Sequence, residues 1–584
     1  MPESSSFLIV RLQMEKEKLL GWAILAKISD DNEQTADSGF KVDRHTVIDA
    51  LRQIQILLLD SSQLRRRYKL DLTPAPPDTH HVAGAPTQPT RESRLPLRDD
   101  YSALQKSALS FIDKTRKYPR RLQWAAFDKA HFEHLLSDLQ GLNDNMMRFL
   151  DVYERNRHFQ MQEATFMQIL QVNNRVQDLF ELMQSLKESS ADDDDDKRRR
   201  AYQDRIIRMT RFKAVSIAIE TGNEGADSTV GSSPSPETDA PGSEIPFRHL
   251  TNLSAETEER PARSLATCTL TNDDEIQVWI EWRYYQELPL EDSDSESDND
   301  NNHPTPPPFI TQRISRLARL LSDREKPTEF LVPESIGYVH DEEHSRFGFV
   351  FKSLSPSPES NNYPHHPITL LDLLSSTATH KPSLTIRIRI ARMVATSIWY
   401  LHATNWLHKG LRSENIVFEG GVDLRSEKPF ICGFDYSRPA NIGEETERPV
   451  ENLLYDLYRH PKVQFDVPRE GRSGFNKVHD IYSLGVVLYE IAVWKPVMKV
   501  LGVDGAGAIK ASVAKSVQDR LLGGESIALL ESEAGDAVAS AVKLCLDGSL
   551  VDRRDENMLG PDSNARLQLE FGEKVVSVLN EVSI

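Results

Sequence analysis

Cysteine is scarce: 584 residues hold three, Cys268, Cys432 and Cys545, all far apart. Neither a zinc-ligand spacing nor a disulfide framework can be written on them, which fits a reducing compartment. Long apolar runs are lacking as well. The longest, around Leu484–Trp494, carries Glu490 and falls far short of the roughly 20 residues a bilayer span needs. No N-terminal stretch joins a basic start to an apolar core, so no secretory leader is expected and the sequence predicts a cytoplasmic protein. Positive charge is in deficit, at a formal net charge of -19, which argues against nucleic acid as a partner. Much of the acid sits in Asp192–Asp196 and in E-D-S-D-S-E-S-D-N-D-N-N, 291–302. His402, His408 and the pair His365-His366 have no third ligand at metal spacing, so no metal site is assigned.

What is present changes character along the chain. Residues 7–28 place Leu8, Leu12, Leu19 and Trp22 on an imperfect helical stripe, and residues 45–58 do so with Ile48, Leu51, Ile54 and Leu58. Residues 60–100 hold P-A-P-P and A-P-T-Q-P-T without periodicity and read as loop. One further stripe runs Phe132, Leu135, Leu139, Leu142 and Met146, and another Phe166, Ile169, Val176, Leu179, Met183 and Leu186. Stripes of this kind need partners, which predicts a helical bundle over residues 1–188. Residues 189–246 carry the block Asp192–Asp196/Lys197–Arg200 and a Gly-, Ser- and Pro-rich tail, and read as a disordered acidic linker.

From residue 247 short β-like runs appear: S-L-A-T-C-T-L, I-Q-V-W-I-E-W, I-G-Y-V and R-F-G-F-V-F-K. Helical patterns dominate after about 366. Strands followed by helices predict an α+β unit of two lobes over 247–584, the first lobe about 247–355 with an acidic insert at 287–308, the second about 366–584. The fold class is therefore multidomain, an all-α bundle followed by an α+β bilobal unit.

Four ordered blocks in the second half resemble the protein kinase family. W-Y-L-H-A-T-N-W-L-H-K-G-L-R-S-E-N-I-V-F, 399–418, is similar to the end of a long helix and the catalytic loop H-R-D-L-K-x-x-N-I. I-C-G-F-D-Y-S-R, 431–438, resembles the stretch around D-F-G. L-Y-R-H-P-K, 457–462, resembles Y-R-A-P-E, and D-I-Y-S-L-G-V-V-L-Y-E, 480–490, the buried helix that opens D-x-W/Y-S-x-G. The resemblance implies a kinase-like fold in which His408, Phe434, Arg459, Asp480 and Gly485 organise the helical lobe; Lys462 replaces the glutamate of A-P-E.

The chemistry departs from that pattern. Phosphoryl transfer needs phosphates held, metal ions placed and the attacking hydroxyl aligned. Gly410 stands where the family has the aspartate that accepts the hydroxyl proton, and losing a general base costs roughly 10²–10⁴-fold. Arg412 replaces a phosphate-contacting lysine, and Asn415 matches a metal ligand. Gly433 replaces the metal-binding aspartate, Phe434 matches, and Asp435 takes the glycine's place, from which a one-residue shift would bring its carboxylate to a metal. The candidate phosphate loop, 264–277, has no glycine to let its backbone approach phosphates. The strand lysine of V-A-I-K falls near Glu281, Trp282 or Arg283, of which Arg283 is the cation, and the next helix, about Thr311–Ser322, offers no glutamate partner. Arg283, Asn415 and Asp435 are thus the weak candidates for holding ATP and Mg²⁺, which remain open as ligands. His408, Gly410, Arg412 and Asn415 form a degenerate catalytic loop.

The first third resembles the HeLo domain of fungal prion-inhibition and propagation proteins. R-K-Y-P-R-R-L-Q-W-A-A-F-D-K-A-H-F-E-H-L-L-S-D-L, 116–139, is similar to the family's W-A-x-x-D-K segment, and V-R-L-Q-M-E-K-E-K-L-L-G-W to its early helix. Asp128 and Lys129 there are either interaction residues or a helix cap. HeLo domains usually open with an apolar, glycine-rich segment implicated in membrane permeabilisation, whereas this sequence starts M-P-E-S-S-S-F-L. Either the segment has been cut away or the membrane function is missing.

The expectation is a non-catalytic signalling protein, a pseudokinase coupled to a HeLo-like bundle in fungal cell-death or incompatibility signalling. Its partner is a second protein or its own bundle, and oligomers and membrane contact are left open. Two alternatives stand beside it: a divergent Ser/Thr kinase using Asp435, Asn415 and Arg412, and a membrane-permeabilising effector.

Overall fold

The computed structural model describes residues 15, 18–19, 22, 129–147, 162–163, 166–171, 173–188, 197–221, 242–254, 262–270, 274–285, 306–353, 367–376, 380–419, 424, 427–434, 437–439, 452–464, 474–503, 509–550 and 561–582. The protein is a mixture of helix and sheet in two compact units, residues 1–169 and 170–584. Residues 45–58, 60–100 and Asp128 lie outside the described residues.

In the first unit, helix α1 (Lys129–Met147) buries Leu135, Leu139 and Met146 of the expected stripe, together with Leu136. Leu19 and Trp22 are buried too. The Trp22 indole N–H donates to the Met146 carbonyl at 3.0 Å, one of the terminal carbonyls that a helix leaves without an internal partner. The Asn143 amide donates to the Glu15 carboxylate at 2.9 Å.

The stripe from Phe166 to Leu186, which begins in the first unit and ends in the second, is not one helix. A helical turn ends at Gln171, and α2 (Val176–Glu188) starts after Asn173, Asn174 and Arg175. Adjacent asparagines are poor helix formers because their side chains compete for backbone groups. Here Asn405 donates to the Gln171 carbonyl at 2.9 Å and to the Asn174 side chain at 3.0 Å.

The expected linker also needs correction. Within 189–246, residues Lys197–Thr221 form α3, a 25-residue helix that buries Ile206, Met209, Phe212 and Ala214. Arg205, Arg208, Arg211 and Lys213 interleave that stripe and give the sequence a solvated look. Lys213 is buried and donates to the carbonyls of Leu170 and Gln171. Desolvation pushes its ammonium down to about 7.

Strands form at all four β-like runs. An antiparallel sheet of order β1-β2-β3-β5-β4 joins β1 (Leu250–Thr251), β2 (Arg263–Thr269), β3 (Glu275–Tyr284), β4 (Ser335–Asp341) and β5 (Arg346–Lys352). Strand alternation puts Val278, Ile280 and Trp282 on one face, in a core with Ala266, Cys268, Val339 and Val350. Arg346 is buried over the Trp282 ring at 3.9 Å and donates to Asp341 at 2.8 Å. Between β3 and β4, helix α4 (Pro308–Leu321) buries Ile310, Ile314, Leu317 and Leu321, one helical face.

The helical lobe is built on α5 (Leu384–Ala403) and α6 (Lys477–Val493), with α7 (Asp536–Asp547) packed against α6. Short strands β6 (Ile368–Thr369), β8 (Ile416–Phe418) and β9 (Phe430–Ile431) form a three-stranded sheet, and β7 (Trp406–Leu407) pairs with β10 (Arg438–Pro439). They hold the 408–415 loop and Gly433 side by side beneath the larger sheet. Among the described residues no helix is long and apolar enough to cross a membrane.

Candidate functional site

The face of β3 opposite its core carries Trp279, Glu281 and Arg283, which share a side by alternation. The hairpin register sets Leu265 of β2 across from Trp279 and Arg263 across from Glu281. Glu281 occupies the fourth position of V-W-I-E, where the kinase pattern V-A-I-K has its lysine, so the charge there is inverted.

Glu281 accepts the Gly433 backbone N–H at 2.8 Å, at the position of the missing metal aspartate. Its other carboxylate oxygen accepts from Arg263 at 3.0 Å. The same Arg263 nitrogen donates to the Asn415 side-chain oxygen at 3.0 Å, and its second terminal nitrogen to the Glu414 carbonyl at 3.0 Å. Burial alone would lower the Arg263 pKa, but Glu281, Cys432 and Glu414 outweigh it and hold the guanidinium above its ordinary value. A fixed cation therefore sits among three oxygen acceptors, two of them on the 408–415 loop.

Two residues along β3, the buried Trp279 also crosses the cleft. Its indole N–H donates to the Glu419 carboxylate, just after β8, at 3.1 Å. Its ring stacks on Phe351 at 4.5 Å between centroids. Trp279 stands where V-A-I-K has alanine, so a small side chain has become one that fills space between the lobes.

The two glycines that replace acids are closed in. Gly433 has φ +81, and a Cβ there would lie 1.9 Å from the Asn415 side-chain nitrogen. A Cβ at Gly410 would lie 2.7 Å from the Gly433 carbonyl oxygen. Asn415 also donates to the Gly410 carbonyl at 2.7 Å, so it knits both positions together.

The loop itself is well ordered. Asp480, on α6, accepts the backbone N–H groups of His408 and Lys409 at 2.7 and 2.8 Å, and approaches His402 at 3.2 Å. His408 packs on Phe434 at 4.7 Å and accepts from Gly410 N–H at 3.2 Å. Arg412 is held by Glu414 at 2.8 Å, with its guanidinium 3.9 Å from the centre of the Tyr455 ring. Ser413 and Tyr458 both bond the buried Glu490, Tyr458 at 2.8 Å, and Glu490 also accepts Val497 N–H at 2.6 Å. Desolvation pushes the Glu490 carboxyl up to about 7.

Of the residues singled out by sequence, His408, Gly410 and Asn415 lie together on the cleft floor, while Arg412 engages Glu414 and Tyr455. Arg283 is buried opposite Phe347 of β5, two residues beyond Glu281 on the same face. Asp435 lies outside the described residues. Arg263, Glu281 as an acceptor and Trp279 were missed. Their signal is the hairpin register, visible only once β2 and β3 are paired.

Among the described residues the cleft keeps few of the family's oxygen ligands. Asn415 is the oxygen ligand retained, and its oxygen accepts from Arg263; positions 410 and 433 carry no carboxylate. Glu281, neutralised by Arg263, stands where the kinase pattern has a lysine for the phosphates. Among the described residues no group of three or more His, Cys, Asp or Glu could hold a metal ion.

Comparison with known proteins agrees with both halves. Residues 1–186 match the profile of the HeLo family, described as prion-inhibition and propagation. The chain is 25% identical over 107 residues to the serine/threonine-protein kinase TIO of Arabidopsis thaliana, covering 18% of this chain and 7% of that protein. It is 32% identical over 92 residues to mitogen-activated protein kinase 13 of the same plant, covering 16% and 22%. Serine/threonine-protein kinase 36 of Mus musculus is 24% identical over 107 residues, covering 18% and 7%. The chain thus spans only 7% to 22% of the length of these kinases.

Proposed function

We propose that this protein, which joins a HeLo domain to a protein-kinase-like domain, is a regulatory signalling protein whose kinase-like domain is a pseudokinase. In this reading residues 1–188 form an all-α bundle and residues 247–584 the bilobal domain. The protein works in the cytoplasm, in cell-death or incompatibility signalling, through a protein partner or through its own bundle.

The observation that carries the reading is the Arg263–Glu281 pair. A side-chain cation bonded to Asn415 lies on the ligand that a catalytic metal would need, and a carboxylate bonds the backbone at Gly433. The absence of a carboxylate at position 410 adds to it, since no glycine can accept the hydroxyl proton of a substrate.

A thermal-shift titration with ATP, with and without Mg²⁺, paired with a labelled-ATP assay, tests this. The expected result is no Mg²⁺-dependent shift and no labelled product. A ligand at about 100 times its dissociation constant would add roughly 2.7 kcal/mol. A Mg²⁺-dependent shift of that kind, with labelling that disappears in Asn415→Ala, would establish a divergent kinase instead.

A further inference from the structure

Kinases fix the helix after β3 through an ion pair between the strand lysine and a glutamate on that helix, and control their state by making or breaking it. This chain has neither member. Glu281 takes the lysine's position, and α4 contains no Asp or Glu. Its anchor lies on the other side.

Glu220, near the end of α3, receives Arg313 at 2.7 Å and Arg316 at 3.0 Å, both from α4. The Glu220 side chain is only 6% exposed, while Arg313 and Arg316 reach 14% and 22%, so the shared carboxylate is the enclosed member of the cluster. The same helix holds the loop that follows α4. Arg211 of α3 donates to the Asp323 carboxylate at 2.8 Å and forms an ion pair with Glu325 at 2.8 Å, and Arg205 meets Glu329 at 3.0 Å. Phe212 packs edge-on against Phe330 at 4.8 Å.

Helix α3 also grips the helical lobe. Arg205 donates to the Tyr400 hydroxyl on α5 at 2.7 Å, and the Trp406 indole of β7 donates to Ser216 at 2.7 Å. The chain then returns across α4: Gly242 lies so close to it that a Cβ would sit 2.4 Å from the Arg319 Cα. Ser243 and Ile245 continue by pairing with Tyr338 of β4 at 3.3 and 2.7 Å.

We propose that α3 is a bracket that sets the position of α4 against the helical lobe, so that control of this helix has moved from the cleft to the segment that follows the HeLo domain. The input it would respond to is therefore a change in the contacts of α3, not a nucleotide. Beside its buried apolar stripe, its links to the loop after α4 are ion pairs, and those of Arg205 with Glu329 and Arg211 with Glu325 are open enough to be weakened by salt. The bracket rests on contacts outside the cleft, so its failure leaves the cleft reading intact, and nucleotide binding would not overturn it.

Hydrogen exchange on the full-length protein, followed in peptides covering 308–321 and 477–493, tests the bracket. Glu220→Arg should speed exchange in 308–321 by about tenfold with 477–493 unchanged, because two arginines lose their shared carboxylate and meet a like charge. Combining it with Arg313→Glu and Arg316→Glu should restore slow exchange, while Arg263→Ala in the cleft should move 308–321 less than Glu220→Arg does. Unchanged exchange in Glu220→Arg, or an equal or larger effect from Arg263→Ala, overturns the proposal. If Glu220→Arg does not fold, a salt series on the native sequence and on Glu220→Gln decides. Exchange in 308–321 should be faster in Glu220→Gln than in the native sequence at every salt concentration; equal exchange in the two proteins overturns the bracket.

Discussion

Arg263 of β2 and Glu281 of β3 form an ion pair at 3.0 Å that is bonded at both ends to the helical lobe, Arg263 to Asn415 and Glu281 to Gly433. A pair this enclosed is costly to break from one side, since the survivor is left buried and uncompensated. Arg263→Met should lower unfolding stability by roughly 3–5 kcal/mol, measured by urea denaturation. Adding Glu281→Gln removes the stranded charge while keeping an acceptor for Gly433 N–H, and should recover much of the loss. A single variant within about 0.5 kcal/mol of the native protein would show the pair to be energetically idle.

Gly433 cannot simply be turned back into an aspartate. Its φ of +81 and the 1.9 Å approach of Asn415 to a Cβ leave no room for a side chain. Gly433→Asp should therefore destabilise the protein, with roughly 1–2 kcal/mol from the left-handed backbone alone, and should not create Mn²⁺ binding by calorimetry. Tight Mn²⁺ binding by this one change would mean that Asn415 moves freely, contrary to its two bonds.

Trp279 should behave as a keystone between the lobes. Trp279→Ala removes a buried ring, its stacking on Phe351 and its bond to Glu419, for an expected loss of roughly 3–5 kcal/mol. Trp279→Phe keeps the stacking and loses only the hydrogen bond, so it should cost less. Equal losses in urea denaturation would place the energy in the hydrogen bond.

Legibility in the sequence tracked how local each feature is. The strands at 264–270 and 346–352 and the loop around His408 were readable because alternation and fixed motif spacing are properties of neighbouring residues. Whether Glu281 or Arg283, which share a side of β3, meets the cleft motifs depends on how far along the strand the lobes touch, which no local pattern states. Arg263 was invisible for the same reason, since its role comes from pairing across a hairpin. Helix α3 falls within the expected linker, whose reading rests on the charge block 192–200 and the Gly-, Ser- and Pro-rich tail; Arg205, Arg208 and Arg211 also dilute the stripe of Ile206, Met209 and Phe212, and the acids that receive Arg205 and Arg211 are over a hundred residues away in sequence. The break at Asn173 and Asn174 has a local cause in two poor helix formers, across which the apolar period continues.

Glu490 makes stability depend on pH in a direction opposite to an ordinary surface acid. Burial raises its carboxyl to about 7 in the folded protein, whereas the unfolded chain has the usual carboxylate value of about 4.3. The folded state therefore binds the proton more tightly. The stability from this group is fully present below about 4.3 and is lost as pH rises through about 7, a span on the order of 3 kcal/mol. Glu490→Gln keeps an acceptor for Val497 N–H and a partner for Ser413 and Tyr458 but cannot ionise. Relative to the native protein, the variant should gain stability steadily between pH 5 and pH 8, with little further change above. Parallel stability profiles for the two proteins across that range would mean that Glu490 titrates at its unfolded value despite its burial.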